Sequence, residues 1–187
     1  ADVAHFQRLA VSSSDALVVI ESPGGALAPA LKIGEIIRLK GFSTYVPSQV
    51  TCTSSCALIW VAGQKRLLAT TGRVGFHASY IVDNGSQRES GLANALVGRY
   101  LTLLNLPEKA ILFATRAGPD KITWINTSAP QESGIDFEIF DLAETNSQPS
   151  QNGVIASSVG QIPEFEWERD GWTVLSNNAG DGCFMAV

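Results

Sequence analysis

Asp15-Ala16-Leu17-Val18-Val19-Ile20-Glu21-Ser22-Pro23-Gly24-Gly25 is the stretch that decides the fold. Its first part is a continuous apolar run of strand length, typical of a parallel strand covered on both faces. Proline and glycine end the run. Beyond them, Leu27, Leu31, Ile33, Ile36, Ile37 and Leu39 recur at helical spacing as far as Gly41. β character returns over residues 42–50, and the stretch from Cys52 to Gly63 then reads as a short helix that is apolar on every side. Strand, helix, strand, helix predicts βαβ units with right-handed crossovers, and so an α/β fold built on a mainly parallel sheet.

Working outward, Val3, Phe6, Leu9 and Ala10 give residues 1–14 a weak helical face. Two short strands are expected at 66–69 and 73–76, joined at Thr70-Thr71-Gly72. Residues 80–89 are polar and contain Asp83-Asn84-Gly85, which predicts a turn or exposed loop. Helices are expected at 90–104 and, after Pro107, at 108–117. A one- or two-turn helix fits 128–133, and a last strand fits 135–140. This organisation places a main domain at 1–142. Ser, Asn, Gln and Gly dominate 145–158, so 143–163 reads as a linker. The remainder, 164–187, is either a tail packed on the first domain or the start of a small second β domain, with Cys183 suited to a bridge beyond Val187.

Composition excludes several functions. Among 187 residues, 45% are hydrophobic and 17% charged, enough apolar material for a core and too much for global disorder. The net charge of −5 and the lack of any basic stripe argue against a nucleic-acid surface. No apolar run approaches the roughly 20 residues that span a bilayer. Three cysteines are too few for a disulfide framework, and no Cys-x-x-Cys pair or histidine cluster points to a metal.

Three features can carry chemistry. Ser54 opens the apolar helix, where a serine is either an N-cap or a nucleophile. Ser22-Pro23-Gly24-Gly25 joins a buried strand to a helix. It is either an ordinary Pro-Gly turn or a place where backbone N–H groups approach a ligand unhindered by any Cβ, as an oxyanion hole requires. His77 closes the run Arg73-Val74-Gly75-Phe76-His77. A histidine there is either a hydrogen-bonded core residue or a base facing the crevice at the strand ends. His5 has no such setting and reads as structural. Cys52 and Cys56 flank Ser54 two residues to either side. They are small buried residues fitting a bend, a disulfide stapling it in an oxidising compartment, or, for Cys56, a nucleophile.

The order SPGG, then a serine opening an apolar helix that ends Ala62-Gly63, then Gly75-Phe76-His77, resembles the Clp protease family within the ClpP/crotonase fold. The Cys-Thr-Ser-Ser-Cys form is most similar to the periplasmic or secreted bacterial branch of that family. The resemblance covers about 17–140. It implies a serine peptidase in which Ser54 is the nucleophile, His77 the base, and the N–H groups of Gly24 and Ser55 the oxyanion donors. It implies no cofactor, a peptide or protein substrate, repeated ββα/βαβ units, and assembly of copies through helix 90–104. The family's orienting acid falls on Asp120, with Asn126 as a polar alternative and a dyad without an acid as a third. Two rival functions share the fold: an acyl-CoA enzyme of the crotonase type, and a degenerate module that binds peptide or a partner protein.

Overall fold

The computed structural model describes residues 2–141, 173–176 and 183–186. The chain starts with helix α1 (Asp2–Ser12), which turns Phe6 and Ala10 into the core, and continues into strand β1 (Ala16–Val19). Helix α2 (Leu27–Lys40) follows the SPGG turn. It ends at Gly41 in the left-handed conformation, whose N–H closes on the Arg38 and Ile37 carbonyls. Strands β2 (Ser43–Val46) and β3 (Thr51–Thr53) come next, then helix α3 (Ser55–Trp60), every residue of which is buried.

Strands β4 (Arg66–Leu68) and β5 (Arg73–Phe76) are adjacent in sequence but belong to different sheets. β4 pairs with β2 in parallel, and β5 pairs with β3 in parallel. The turn between them crosses from one layer to the other. It passes so close to β2 that a Cβ on Gly72 would lie 2.7 Å from the Pro47 carbonyl.

Residues 80–89 are a two-stranded hairpin, β6 (Tyr80–Asp83) and β7 (Ser86–Glu89), where the sequence predicts a turn or loop. Asn84 and Gly85, at φ 49° and 78°, form its two-residue turn, the Asn-Gly chemistry that hairpins favour. Helices α4 (Gly91–Leu103) and α5 (Glu108–Thr115) follow. Then come β8 (Thr123–Trp124), a 3-10 turn at Pro130–Glu132, and β9 (Glu138–Ile139).

Strands β10 (Thr173–Ser176) and β11 (Cys183–Ala186) complete the described chain. The main sheet runs β10-β11-β1-β2-β4-β9 and is parallel except for the β10–β11 pair. β11 lies against β1, so both strands of the extension join the sheet of the main unit. The expected linker lies outside the described residues, as does the side chain of Cys183. The protein is thus α/β with a mostly parallel sheet and, among the described residues, five helices. Among the described residues, no helix is long and apolar enough to cross a membrane.

The core fixes α3 from three directions. Tyr100 of α4 donates its hydroxyl to the Leu58 carbonyl at 2.8 Å, and Thr44 of β2 donates to the Trp60 carbonyl at 2.6 Å. The Trp60 indole N–H reaches the Leu67 carbonyl at 3.0 Å. Each such bond contributes about 1 kcal/mol, and all act on the end of α3 remote from Ser54. Burial drives the Tyr100 hydroxyl far above its ordinary titration range, so it stays a donor throughout. α2 lies against the same tyrosine so closely that only glycine fits at position 34, where a Cβ would stand 1.8 Å from the hydroxyl oxygen. Arg66 secures the C-terminal end of the helix by donating to the Val61 and Gly63 carbonyls.

Candidate active site

The site forms where the two layers meet. Strand β3 runs parallel to β5, with Thr53 opposite Gly75, and the Ser54 N–H extends the ladder to the Gly75 carbonyl at 2.9 Å. Ser54 and His77 therefore leave neighbouring parallel strands at the same edge. The SPGG turn is stitched to that edge as well. Ser22 bridges to Cys52, the Thr53 N–H donates to the Ser22 carbonyl at 3.1 Å, and the Thr53 hydroxyl donates to the Pro23 carbonyl at 3.0 Å. All three motifs converge on one cavity of about 430 Å³, lined by Gly24, Gly25, Ser54, Ser55 and His77. Leu58, Phe76, Val97 and Ala114 form its apolar wall.

Ser54 precedes α3 but does not cap it, since its side chain accepts no hydrogen bond from the helix. Its backbone sits at φ 59°, ψ −127°, which an L-residue rarely adopts. A sharp, strained strand-to-helix turn of this kind thrusts a serine hydroxyl outward, as in nucleophile elbows. Holding it costs about 1–3 kcal/mol, which the surrounding structure must over-determine. Among the described residues, the Ser54 hydroxyl has no protein hydrogen-bond partner.

His77 is half-buried, and its Nδ1 lies 2.8 Å from the Ala78 carbonyl. A carbonyl only accepts, so in the neutral ring Nδ1 carries the proton and Nε2 is left as the acceptor. The carbonyl is itself fixed, because the Ala78 N–H donates to the Ala117 carbonyl at 2.8 Å. Tyr80 packs beside the imidazole, with ring centroids 5.7 Å apart. No hydrogen bond joins Ser54 to His77 in this structure. Such bonds often tighten only with substrate in place.

The other expected site residues divide. Ser55 lines the cavity, and its N–H stands ahead of the helical ladder, where it has no intrahelical acceptor. Gly24 lines the cavity, and its N–H is bonded to the Ser22 hydroxyl at 3.1 Å. Its neighbour Gly25 also lines the cavity, and among the described residues its N–H has no protein acceptor. Gly24 does something else there. At φ 102° it brings the turn against the serine, so that a Cβ would stand 2.6 Å from the Ser54 Cβ. The consumed donor is not visible in sequence, since nothing there shows that Ser22 folds back on its own turn.

Asp120 is not brought to the site. It is exposed in the turn closed by the Lys121 N–H and the Gly118 carbonyl, and it does not line the cavity. Asn126 is occupied in a turn, accepting from the Ser128 N–H at 3.0 Å. The Ala78 carbonyl holds the position that an orienting acid would take. An acid in that role is worth about 10⁴ in rate. Asp120→Ala is instead expected to change the rate of serine labelling by less than about twofold relative to wild type, measured with a fluorophosphonate.

Cys52 and Cys56 have their sulfurs at bonding distance, with Cα atoms 5.3 Å apart. Cys56 is thereby accounted for without a nucleophilic role. Among the described residues, no group of three His, Cys, Asp or Glu side chains is placed to hold a metal ion. No protein-family model matches the chain, and no curated protein matches it.

Proposed function

We propose that the protein is a serine hydrolase of the ClpP/crotonase fold that cleaves peptide bonds. Ser54 attacks the scissile carbonyl, and Nε2 of His77 takes the proton and returns it to the leaving amine. The N–H groups of Gly25 and Ser55 hold the oxyanion, each worth about 3 kcal/mol in comparable sites. The observation that carries this reading is the backbone of Ser54, strained at φ 59° with an uncapped hydroxyl facing the cavity that His77 shares. Strain of this sort is kept where function requires it.

The apolar wall of Leu58, Phe76, Val97 and Ala114 supports substrates that place an apolar side chain beside the scissile bond. The paired cysteines support an oxidising compartment, periplasmic or extracellular. Assembly of copies through α4 is supported by the exposure of Leu92, Leu96 and Leu103.

The test is incubation of the full chain with a fluorophosphonate, followed by mass mapping of the labelled peptide. Label on Ser54, lost in Ser54→Ala, is the expected result. The missing Ser54–His77 hydrogen bond favours the second reading, a module that binds peptide without acylation. A folded chain that never labels but retains peptide affinity establishes that reading instead.

A further inference from the structure

Cys52 sits at a junction. It belongs to β3, is paired with Val74 of β5, and bridges to Ser22 in the turn beside the reacting centre. Cys56 lies in the first turn of α3, and Ser54 is midway between the two. Apart from the cysteine pair, the strained residue is held by one backbone bond on each side: its N–H to Gly75, and its carbonyl from the Ala57 N–H at 3.0 Å. A non-glycine residue at positive φ relaxes unless its surroundings forbid it. The covalent link closes the elbow across that residue and ties it to the SPGG turn.

We propose that the Cys52–Cys56 bridge is a positioning pair for the reaction. It holds Ser54 in its reactive direction, so the centre is competent only in the disulfide form and is reversibly silenced by dithiols. This rests on the serine-hydrolase reading and adds to it a condition under which that activity operates.

The route for a reductant is on the other side of the SPGG turn. Cys52 is 0% and Cys56 2% exposed, so the bridge is closed to bulky reductants. A second cavity of about 140 Å³, which shares Gly24, Gly25, Ala26 and Ser55 with the first, is lined by Cys56 but not by Cys52. A small dithiol entering there attacks the Cys56 sulfur as its thiolate. The S–S bond breaks, and Cys52 leaves as a thiolate and takes up a proton. The second thiol of the reductant then displaces Cys56 from the mixed disulfide. Two electrons pass to the protein, and the reductant ends as its own cyclic disulfide. With the link open, the elbow relaxes and the hydroxyl turns from the cavity.

The experiment uses the full chain carrying Cys183→Ala, so that only this pair titrates. Fluorophosphonate labelling of Ser54 is followed against dithiothreitol, and free thiols are counted by alkylation and mass. The expected result is a fall of at least tenfold in labelling rate, in step with thiol exposure and with far-UV circular dichroism preserved. With a peptide ester, kcat should fall while KM holds, a split that loss of folded protein combined with weaker substrate binding does not give, and both rates should return on reoxidation with glutathione disulfide. Cys52→Ala/Cys56→Ala should show the low rate from the start and ignore the dithiol. If that variant does not fold, the titration of the bridged chain carries the test. An unchanged rate with both thiols free overturns the proposal, and so does a bridge that stays closed at every dithiol concentration. An oxidised chain that is never labelled overturns the hydrolase reading itself, which separates the two failures.

Discussion

His77→Ala is expected to lower the rate of fluorophosphonate labelling at Ser54, and hydrolysis of a peptide ester, by roughly 10²–10⁴-fold, the span of general-base catalysis. The geometry of the His77 ring sets this expectation. Its Nδ1 proton is committed to the Ala78 carbonyl at 2.8 Å, so the basic nitrogen is Nε2, and His77 and Ser54 line the same cavity. Among the described residues that line that cavity there is no other imidazole, and no carboxylate or amine. Truncation should cost the fold little, because the imidazole is half-buried and makes one hydrogen bond, worth about 1 kcal/mol. Residues acting as one unit are not additive, so Ser54→Ala/His77→Ala should hydrolyse no more slowly than Ser54→Ala alone. Unchanged labelling in a folded His77→Ala protein removes His77 from the mechanism. The Tyr80 ring beside the imidazole then marks it as a packing residue.

What the sequence discloses follows from how strongly burial is written into it. β1 is legible because neither of its faces is open to water, Ala16 and Val18 being buried and Leu17 and Val19 half-buried, which leaves Leu17-Val18-Val19-Ile20 apolar without interruption. α3 is legible for the same reason. The edge where Ser54 and His77 meet also follows from pattern, since both close or adjoin parallel strands. Elements whose residues face water, or which are too short for a period, are not legible. β6 and β7 are exposed along their whole length, so Ser86-Gln87-Arg88-Glu89 has no apolar face to signal a strand. β3 and β8 have three residues and two, and β3 is absorbed into the helix reading that follows it. The group bonded to His77 Nδ1 is a backbone carbonyl, which any residue supplies, so no residue type in the sequence marks it. That the Gly24 N–H is engaged is hidden likewise, because it depends on the Ser22 hydroxyl closing onto it.

Gly24→Ala tests that turn, and its effect should fall on stability and activity together. At φ 102° an alanine is strained whatever room it has, and here there is none. The new methyl would stand 2.6 Å from the Ser54 Cβ, 2.8 Å from the Thr53 carbonyl oxygen and 3.2 Å from the Ser54 hydroxyl oxygen. Two of these neighbours belong to the main framework of the elbow. Thr53 is locked in the β3–β5 ladder and Ser54 in its strained turn, so the SPGG segment must give way instead. Strain of this kind costs about 2–3 kcal/mol, and in a chain of this size each kcal/mol lowers Tm by roughly 2–4 °C. Moving the turn also carries the Gly25 N–H away from the carbonyl it would polarise, and one lost oxyanion donor is worth about 10²–10³ in kcat. The expected result is a Tm lower by roughly 4–12 °C, with labelling of the remaining folded protein slowed by about 10²-fold or more. Gly25→Ala supplies the contrast. Gly25 has no positive φ, and a Cβ there meets nothing within 4 Å, so its N–H should stay in place with Tm and labelling close to wild type. Equal losses at both glycines would mean that the turn as a whole, and not the contact between Gly24 and Ser54, governs the site.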